Sequence, residues 1–285
     1  MLGLSTYAFV WRSHPERARP LRIEDMLDSA HALGCAVVQL CDHPRIEEPR
    51  PADLAALRRQ ADVLGLVLET GTRGVEPGHL RGHLRTAECL GARLVRSMLS
   101  SVRGVPSVPE AVTKLRQVMP CYEAAGVTLA LETYEQYSAH ELVEVIESVA
   151  SPNLGVCLDP GNSVARLEHP MDVARTCAPY VVNHHVKDFA FTRLEANVGF
   201  RFAGAPLGEG LLEHDAVVET LRAAGRDSVN RIVEHWLTRA GSIEETALQE
   251  EQWVAGAVAY LREREPHVDR PGNGSVRGTV GGGPA

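Results

Sequence analysis

The 285-residue sequence has no run approaching the ~20 apolar residues that a membrane-spanning helix needs. Met1 leads straight into a short strand-like segment, without the charged and apolar blocks of a signal peptide. There is no basic excess. Twenty-nine Lys and Arg stand against 37 Asp and Glu, a net charge of −8, which excludes a nonspecific nucleic-acid-binding field. No CxxC pair occurs among the six cysteines, Cys35, Cys41, Cys89, Cys121, Cys157 and Cys177, so they read as small buried hydrophobes rather than a zinc or redox site. The glycine fingerprint of a dinucleotide-binding fold is missing after the first strand-like run. What remains, 44% hydrophobic and 23% charged, is expected to be a cytoplasmic globular protein with ample length for a core. Its expected partner is a small molecule, with neither nucleic acid nor membrane involved.

Short apolar runs recur at 2–7, 36–41, 66–70, 93–98, 127–132, 154–159, 181–186 and 231–234, each the length of a buried parallel strand. Helix-like stretches alternate with them near 22–33, 51–64, 79–90, 107–125, 139–149, 170–178, 213–224 and 244–263. In the first, Ile23, Met26, Leu27, Ala30 and Leu33 share a face at helical spacing. Ser107 and Ser138 are placed to cap helices, and Gly34, Gly65, Gly91, Gly126 and Gly225 to end them. The helix-end, glycine, strand pattern repeats as "ALGCAV", "VLGLVL", "CLGARL" and "AAGVTL". Eight β/α units in about 260 residues predict a (β/α)8 TIM barrel over residues 1–264. The stretch 189–210 is too long for an ordinary loop and predicts a small hairpin over the barrel mouth after strand seven. The Gly- and Pro-containing segment 265–285 reads as a disordered tail.

Barrel chemistry gathers at the C-terminal strand ends. There the sequence places Glu132, Asp159, His185 and Glu234, on strands five to eight. Three carboxylates and one imidazole form an oxygen-rich metal site suited to Mn²⁺, Mg²⁺ or Co²⁺, with Zn²⁺ less typical. Each residue has a plainer alternative: a salt bridge from Glu132 to an arginine, a turn cap by Asp159, a hydrogen-bonded core His185, and a pair between Glu234 and Arg231 or Arg239. Lys187, one of only two lysines with Lys114, lies two residues beyond His185 and shares its side of the strand, so it is a candidate acid/base or substrate contact. His184 faces the other way. Asn162, Asp42, His43 and Glu69 are placed to line the pocket, with Tyr7, Phe9 and Trp11 as candidate walls. Arg193 and Arg201 in the predicted hairpin are candidates to pair with a substrate carboxylate or phosphate. His79 and His83 have metal-like spacing but fall on the outer helix ring.

The stretches "LALET", "GVCLDPGNS", "NHHVKDF", "PLGEGLLEHDAVV" and "RIVEHW" resemble the xylose isomerase-like TIM-barrel superfamily, the sugar phosphate isomerase/epimerase group, from Met1 to about Arg262. The resemblance implies that Glu132, Asp159, His185 and Glu234 bind a divalent metal, and that Glu132 and Glu234 act as the acid/base pair of an epimerase working through a metal-stabilised enediolate. It also implies that dimers or tetramers are common. Ketose 3-epimerases tend to carry a His where Asn162 stands, and an Arg slightly earlier than Arg193. These departures keep the metal ligands and alter the substrate contacts. The leading expectation is therefore a sugar or sugar-acid isomerase or epimerase. The alternative is a decarboxylase or lyase of an oxo-sugar acid, in which the metal takes up the electrons left by CO₂. An AP endonuclease-like protein expects more histidine ligands and a DNA-binding face, and a non-catalytic sugar-binding barrel would not need four metal ligands.

Overall fold

The computed structural model describes residues 1–195 and 198–268. Eight parallel strands close into a barrel: β1 (Leu2–Ser5), β2 (Val37–Cys41), β3 (Val67–Gly71), β4 (Leu94–Ser97), β5 (Thr128–Glu132), β6 (Leu154–Leu158), β7 (Val181–Val186) and β10 (Asn230–Val233), with β10 pairing β7 on one side and β1 on the other. The principal outer helices are α1 (Ile23–Ala32), α3 (Pro51–Leu64), α4 (Pro77–Leu90), α5 (Val108–Ala125), α6 (Ala139–Val149), α8 (Pro170–Cys177), α9 (His214–Ala223) and α10 (Ile243–Arg264), with short turns α2 (Pro44–Glu47) and α7 (Pro160–Ser163) between strands and helices. Among the described residues no helix is long and apolar enough to cross a membrane.

The local signals act as expected. Ser107 and Ser138 close capping boxes with Glu110 and Glu141, which satisfy amide groups that a helix start leaves open. Gly65, Gly91 and Gly126 end α3, α4 and α5 in left-handed backbone. Strand alternation then sorts the side chains. Val38, Leu40, Leu68, Val95, Leu129, Leu131, Val156 and Leu158 join the core shared with the helices. Of the intervening positions, which point into the barrel, Leu94, Ala130 and Cys157 form a small apolar cluster, and Gln39, Glu69, Arg96, Glu132, Asn183 and His185 are polar and buried.

The predicted hairpin forms from β8 (Asp188–Arg193) and β9 (Phe200–Ala205), paired antiparallel. Its base is tied down by Asp188. That carboxylate accepts from the backbone N–H of Phe189, Gly208, Gly210 and Leu212 at 2.8–3.0 Å. A Cβ on Gly210 would stand 2.2 Å from Asp188 Oδ1, so only glycine lets the strap pass. The contact joins the "HVKD" and "GEG" stretches of this chain. The hairpin also fixes Trp236: Gly204 N–H donates to the Trp236 carbonyl, and Phe202 meets the indole edge-on at 5.4 Å.

Three expectations are corrected. Cys89 and Cys121 are exposed on outward faces of α4 and α5, while the other four cysteines are buried. Of the predicted tail, 269–285 lie outside the described residues, but Glu265 and Val268 are buried in the body. Glu265 holds the buried Arg231 guanidinium at 2.9 Å and bonds His214, a charge balance that the barrel base requires. Glu69, expected to line the pocket from near the end of the run 66–70, stands in mid-strand, because β3 runs on to Gly71.

Candidate metal and active site

Glu132 ends β5, Asp159 follows β6, His185 is the fifth residue of β7, and Glu234 follows β10. One ligand atom from each lies within 4.8 Å of every other, and all four side chains are buried. His185 Nδ1 is 3.4 Å from Glu234 Oε1, 3.6 Å from Glu132 Oε1 and 3.7 Å from Asp159 Oδ2. Asp159 serves two ends: Oδ1 accepts from Asn162 N–H at the start of α7, where Pro160 sets the first helical residue, and Oδ2 is left for the cluster.

The surroundings hold these groups rigidly. The Glu132 carboxylate takes the Asn162 amide on Oε1 at 2.8 Å and lies 2.7 Å from Arg96 Nε on Oε2. Lys187 Nζ stands 2.6 Å from Asp159 Oδ2 and 3.1 Å from Glu234 Oε2, under the Trp236 ring at 4.5 Å. Beneath them, His185 Nε2 meets Gln39 Oε1 at 2.8 Å. Gln39 cannot rotate freely, because its Nε2 donates to Glu69 Oε2 at 3.0 Å and Asn183 Oδ1 at 3.2 Å. Glu69 is in turn bonded by Asn183 and Asn230. The relay leaves Nδ1 of His185 turned to the carboxylates.

Burial alone would raise the Glu132 carboxyl, but Arg96 and His185 outweigh it and hold it well below the usual range. Burial works against charge on His185 too, yet the acidic groups around it push its pKa well above the ordinary value. For Lys187 burial likewise opposes the ammonium, and Asp159 and Glu234 reverse the sign. All three shifts report the same thing: a buried anionic cluster that draws positive charge to its centre.

A divalent ion fits that demand. His185 Nδ1 and Glu234 Oε1 are buried and have no hydrogen-bond partner, an arrangement that costs free energy unless something between them binds both. Three carboxylates and one imidazole converging from separate strands could hold a divalent metal.

The other candidate residues separate. Asn162 and Lys187 line a cavity of about 60 Å³ above the cluster, with Tyr7, Arg73, Arg96, Met98, Tyr134, His235 and Trp236. Glu69 faces inward but lies on the floor, below His185, because it sits in mid-strand. His43 caps α2 through Nδ1. Trp11 donates its indole N–H to the Leu237 carbonyl and is a rim residue. Phe9 is buried in the core. Arg193 and Arg201 are exposed on the hairpin, outside the lining of the cavity, and Arg193 stacks on Phe200. The hairpin contributes Trp236 contacts rather than cations. His184 stacks on His214 outside the barrel, and His79 and His83 bond Thr72 and Thr70. Glu234 pairs with Lys187, while Arg231 and Arg239 pair with Glu265 and Glu16. Sequence reading missed Gln39, Arg73, Arg96 and Trp236. A polar residue at an inward position of the apolar runs "VVQLC" and "LVRSM" was the available signal for Gln39 and Arg96.

Residues 78–264 match the family model described as xylose isomerase-like TIM barrel. The chain belongs to that family. It is 44% identical over 269 residues to the 3-oxo-isoapionate decarboxylase of Pectobacterium atrosepticum, covering 94% of this chain and 98% of that one. Its fold resembles a D-psicose 3-epimerase with D-tagatose from Clostridium cellulolyticum H10, at a TM-score of 0.70 and 14% identity over 92% of this chain and 98% of that one. It also resembles a xylose isomerase-like TIM-barrel protein from Mycobacterium smegmatis in complex with magnesium, at a TM-score of 0.60 and 17% identity, over 84% and 89%.

Proposed function

We propose that this enzyme decarboxylates a 3-oxo sugar acid, 3-oxo-isoapionate or a close analogue, with a divalent metal held by Glu132, Asp159, His185 and Glu234. The observation that carries the choice of reaction is the engagement of both glutamates. Glu132 is held by Arg96 and Asn162, and Glu234 is paired with Lys187, so neither carboxylate stands free as a base, and the ammonium of that pair lines the cavity as a proton donor. Epimerisation needs a base on one face and an acid on the other; loss of CO₂ from a 3-oxo acid needs only a place for the electron pair and a proton donor. The 44% identity to a 3-oxo-isoapionate decarboxylase supports the same order. Sequence reading ranks enolisation first; the engaged glutamates and this relative reverse the ranking.

A bound Mn²⁺, Mg²⁺ or Co²⁺ would supply Lewis acidity that polarises the oxo group and stabilises negative charge on its oxygen. The bond between the carboxyl carbon and its neighbour breaks, CO₂ leaves, and the electron pair passes toward that oxygen. Lys187 then delivers a proton to the carbon that lost CO₂, and is reprotonated from water. Trp236 covers the ammonium and limits solvent around it. Asn162 and Arg96 fix the orientation of Glu132.

The test is proton NMR in D₂O with the metal-loaded enzyme and 3-oxo-isoapionate, alongside CO₂ detection. Stoichiometric CO₂, with one deuterium in the product and none in remaining substrate, is expected. Deuterium exchange into recovered substrate without CO₂ would make the enzyme an epimerase instead.

The relay beneath His185 makes its own prediction. Gln39→Leu removes the acceptor that orients the imidazole, and should weaken Mn²⁺ binding about 10–100-fold, the usual loss when a residue that orients a metal ligand is removed. Calorimetric titration checks it. Unchanged affinity would show that packing alone aims His185.

A further inference from the structure

We propose that Arg73, held by Asp42 and Tyr7, forms the subsite that binds the carboxylate of the sugar-acid substrate. The inference rests on the decarboxylase reading for the class of substrate, but not on the chemical step.

Three observations place the subsite there. First, Arg73 lies on the boundary of two cavities. It lines the 60 Å³ cavity over the four-residue cluster and also the groove of about 450 Å³ outside it, which Asp42, Thr72 and Ser101 help to form. The inner space is small, and Arg73 is the residue that lines both it and the groove. Arg73 is 43% exposed and is the wall that can yield, whereas Arg96 beside it is 1% exposed.

Second, the guanidinium is oriented on one edge only. Nε stands 3.1 Å from Asp42 Oδ1 and Nη2 donates to Tyr7 Oη at 2.6 Å, which uses those two nitrogens and leaves Nη1. Tyr7 donates to Asp42 Oδ2 at 2.7 Å, so the three groups brace one another. Asp42 takes a left-handed backbone, φ 52°, a conformation uncommon outside glycine that directs the carboxylate to the mouth. By contrast Arg96 is consumed by Asp42, Glu132 and the Thr72 carbonyl.

Third, the charges around the cavity call for one more anion. Asp42, Glu132, Asp159 and Glu234 face Arg73, Arg96, Lys187 and the His185 imidazole. With a divalent cation bound and His185 neutral as its ligand, five positive charges meet these four carboxylates, an excess of one that a monocarboxylate neutralises in a poorly solvated site. A neutral ketose would leave it uncompensated. Nη1 of Arg73, left over by Asp42 and Tyr7, offers a charge-assisted donor to that carboxylate.

The experiment uses D-erythronate, a four-carbon sugar acid without an oxo group and so unable to lose CO₂, and erythritol, its neutral counterpart. Both are titrated calorimetrically into the Mn²⁺-loaded wild type, Arg73→Gln and Arg73→Lys. Wild type is expected to prefer erythronate. Arg73→Gln should lose about 10–100-fold in erythronate affinity, the range for charge-assisted hydrogen bonds, with erythritol binding unchanged. Arg73→Lys should fall between, keeping the charge without the Nη1 donor. Circular dichroism confirms folding, and if Arg73→Gln is unfolded the lysine variant decides alone. Equal erythronate binding by wild type and a folded variant would overturn the inference, as would a wild type that does not distinguish the two ligands. Either result leaves the CO₂ assay standing, and a failed CO₂ assay leaves this binding result readable.

Discussion

Replacement of His185 by alanine is expected to lower Mn²⁺ affinity by more than about 100-fold, beyond the ~10–100-fold lost when only an orienting partner is removed. The imidazole is the only nitrogen among the four clustered groups, and its Nδ1 lies within 3.7 Å of a carboxylate oxygen from each of the other three. Without it the carboxylates have no neutral donor between them and face one another across a void. Turnover should fall with metal occupancy. Thermal unfolding gives a second readout. An ion present at about a thousand times its Kd stabilises the folded state by about 4 kcal/mol, and a hundredfold weaker site should lose more than half of that. His185→Gln, closer in volume, guards against a packing artefact. Undiminished Mn²⁺ affinity in both variants would move the metal off this cluster. His184, the neighbouring imidazole, is not an easy substitute, since its ring faces the helices and stacks on His214.

Lys187→Met is expected to reduce kcat about 10²–10⁴-fold, the range of a positioned proton donor, while Mn²⁺ binding stays at least as tight. The two halves of that prediction have opposite origins. Lys187 is the ammonium nearest the cluster, so its loss removes the proton source. The same ammonium stands 2.6 Å from Asp159 Oδ2, where it repels an incoming cation and neutralises a ligand, so its loss favours metal. Methionine keeps much of the stem that packs under Trp236. Single-turnover measurement of CO₂ release against product formation locates the defect. CO₂ should still be released, slowly, with product protonation lagging. A variant with near-normal kcat would remove Lys187 from the chemistry. Parallel loss of metal and rate would instead mark it as part of the metal site.

The paired behaviour of these two variants separates roles that the sequence places only two residues apart. His185 and Lys187 share the inner side of the barrel, by simple alternation, and the sequence shows that much. It does not show that Asp188, next along, turns away to bind four backbone amides and stop the barrel strand. That one carboxylate converts the end of β7 from barrel wall to the base of the hairpin, and sets Trp236 over Lys187 indirectly through Gly204 and Phe202.

The sequence by itself determined the barrel, its helix starts and stops, the hairpin after strand seven, and the four strand-end groups. Those features are written in local terms: hydrophobic period, capping boxes, left-handed glycines and the position of a polar residue at the end of an apolar run. Tertiary structure alone decided that Arg96 meets Glu132 and that Arg73 meets Asp42 beside the cluster. Arg96 and Arg73 come from β4 and the loop after β3, while the hairpin arginines the sequence favoured point to solvent. It also decided that Gln39 and Glu69, from β2 and β3, support His185 from β7 across the barrel. The physical reason is closure. A closed, staggered barrel brings inward side chains of non-adjacent strands within hydrogen-bond reach, and that reach depends on register and shear rather than on any local pattern of residues.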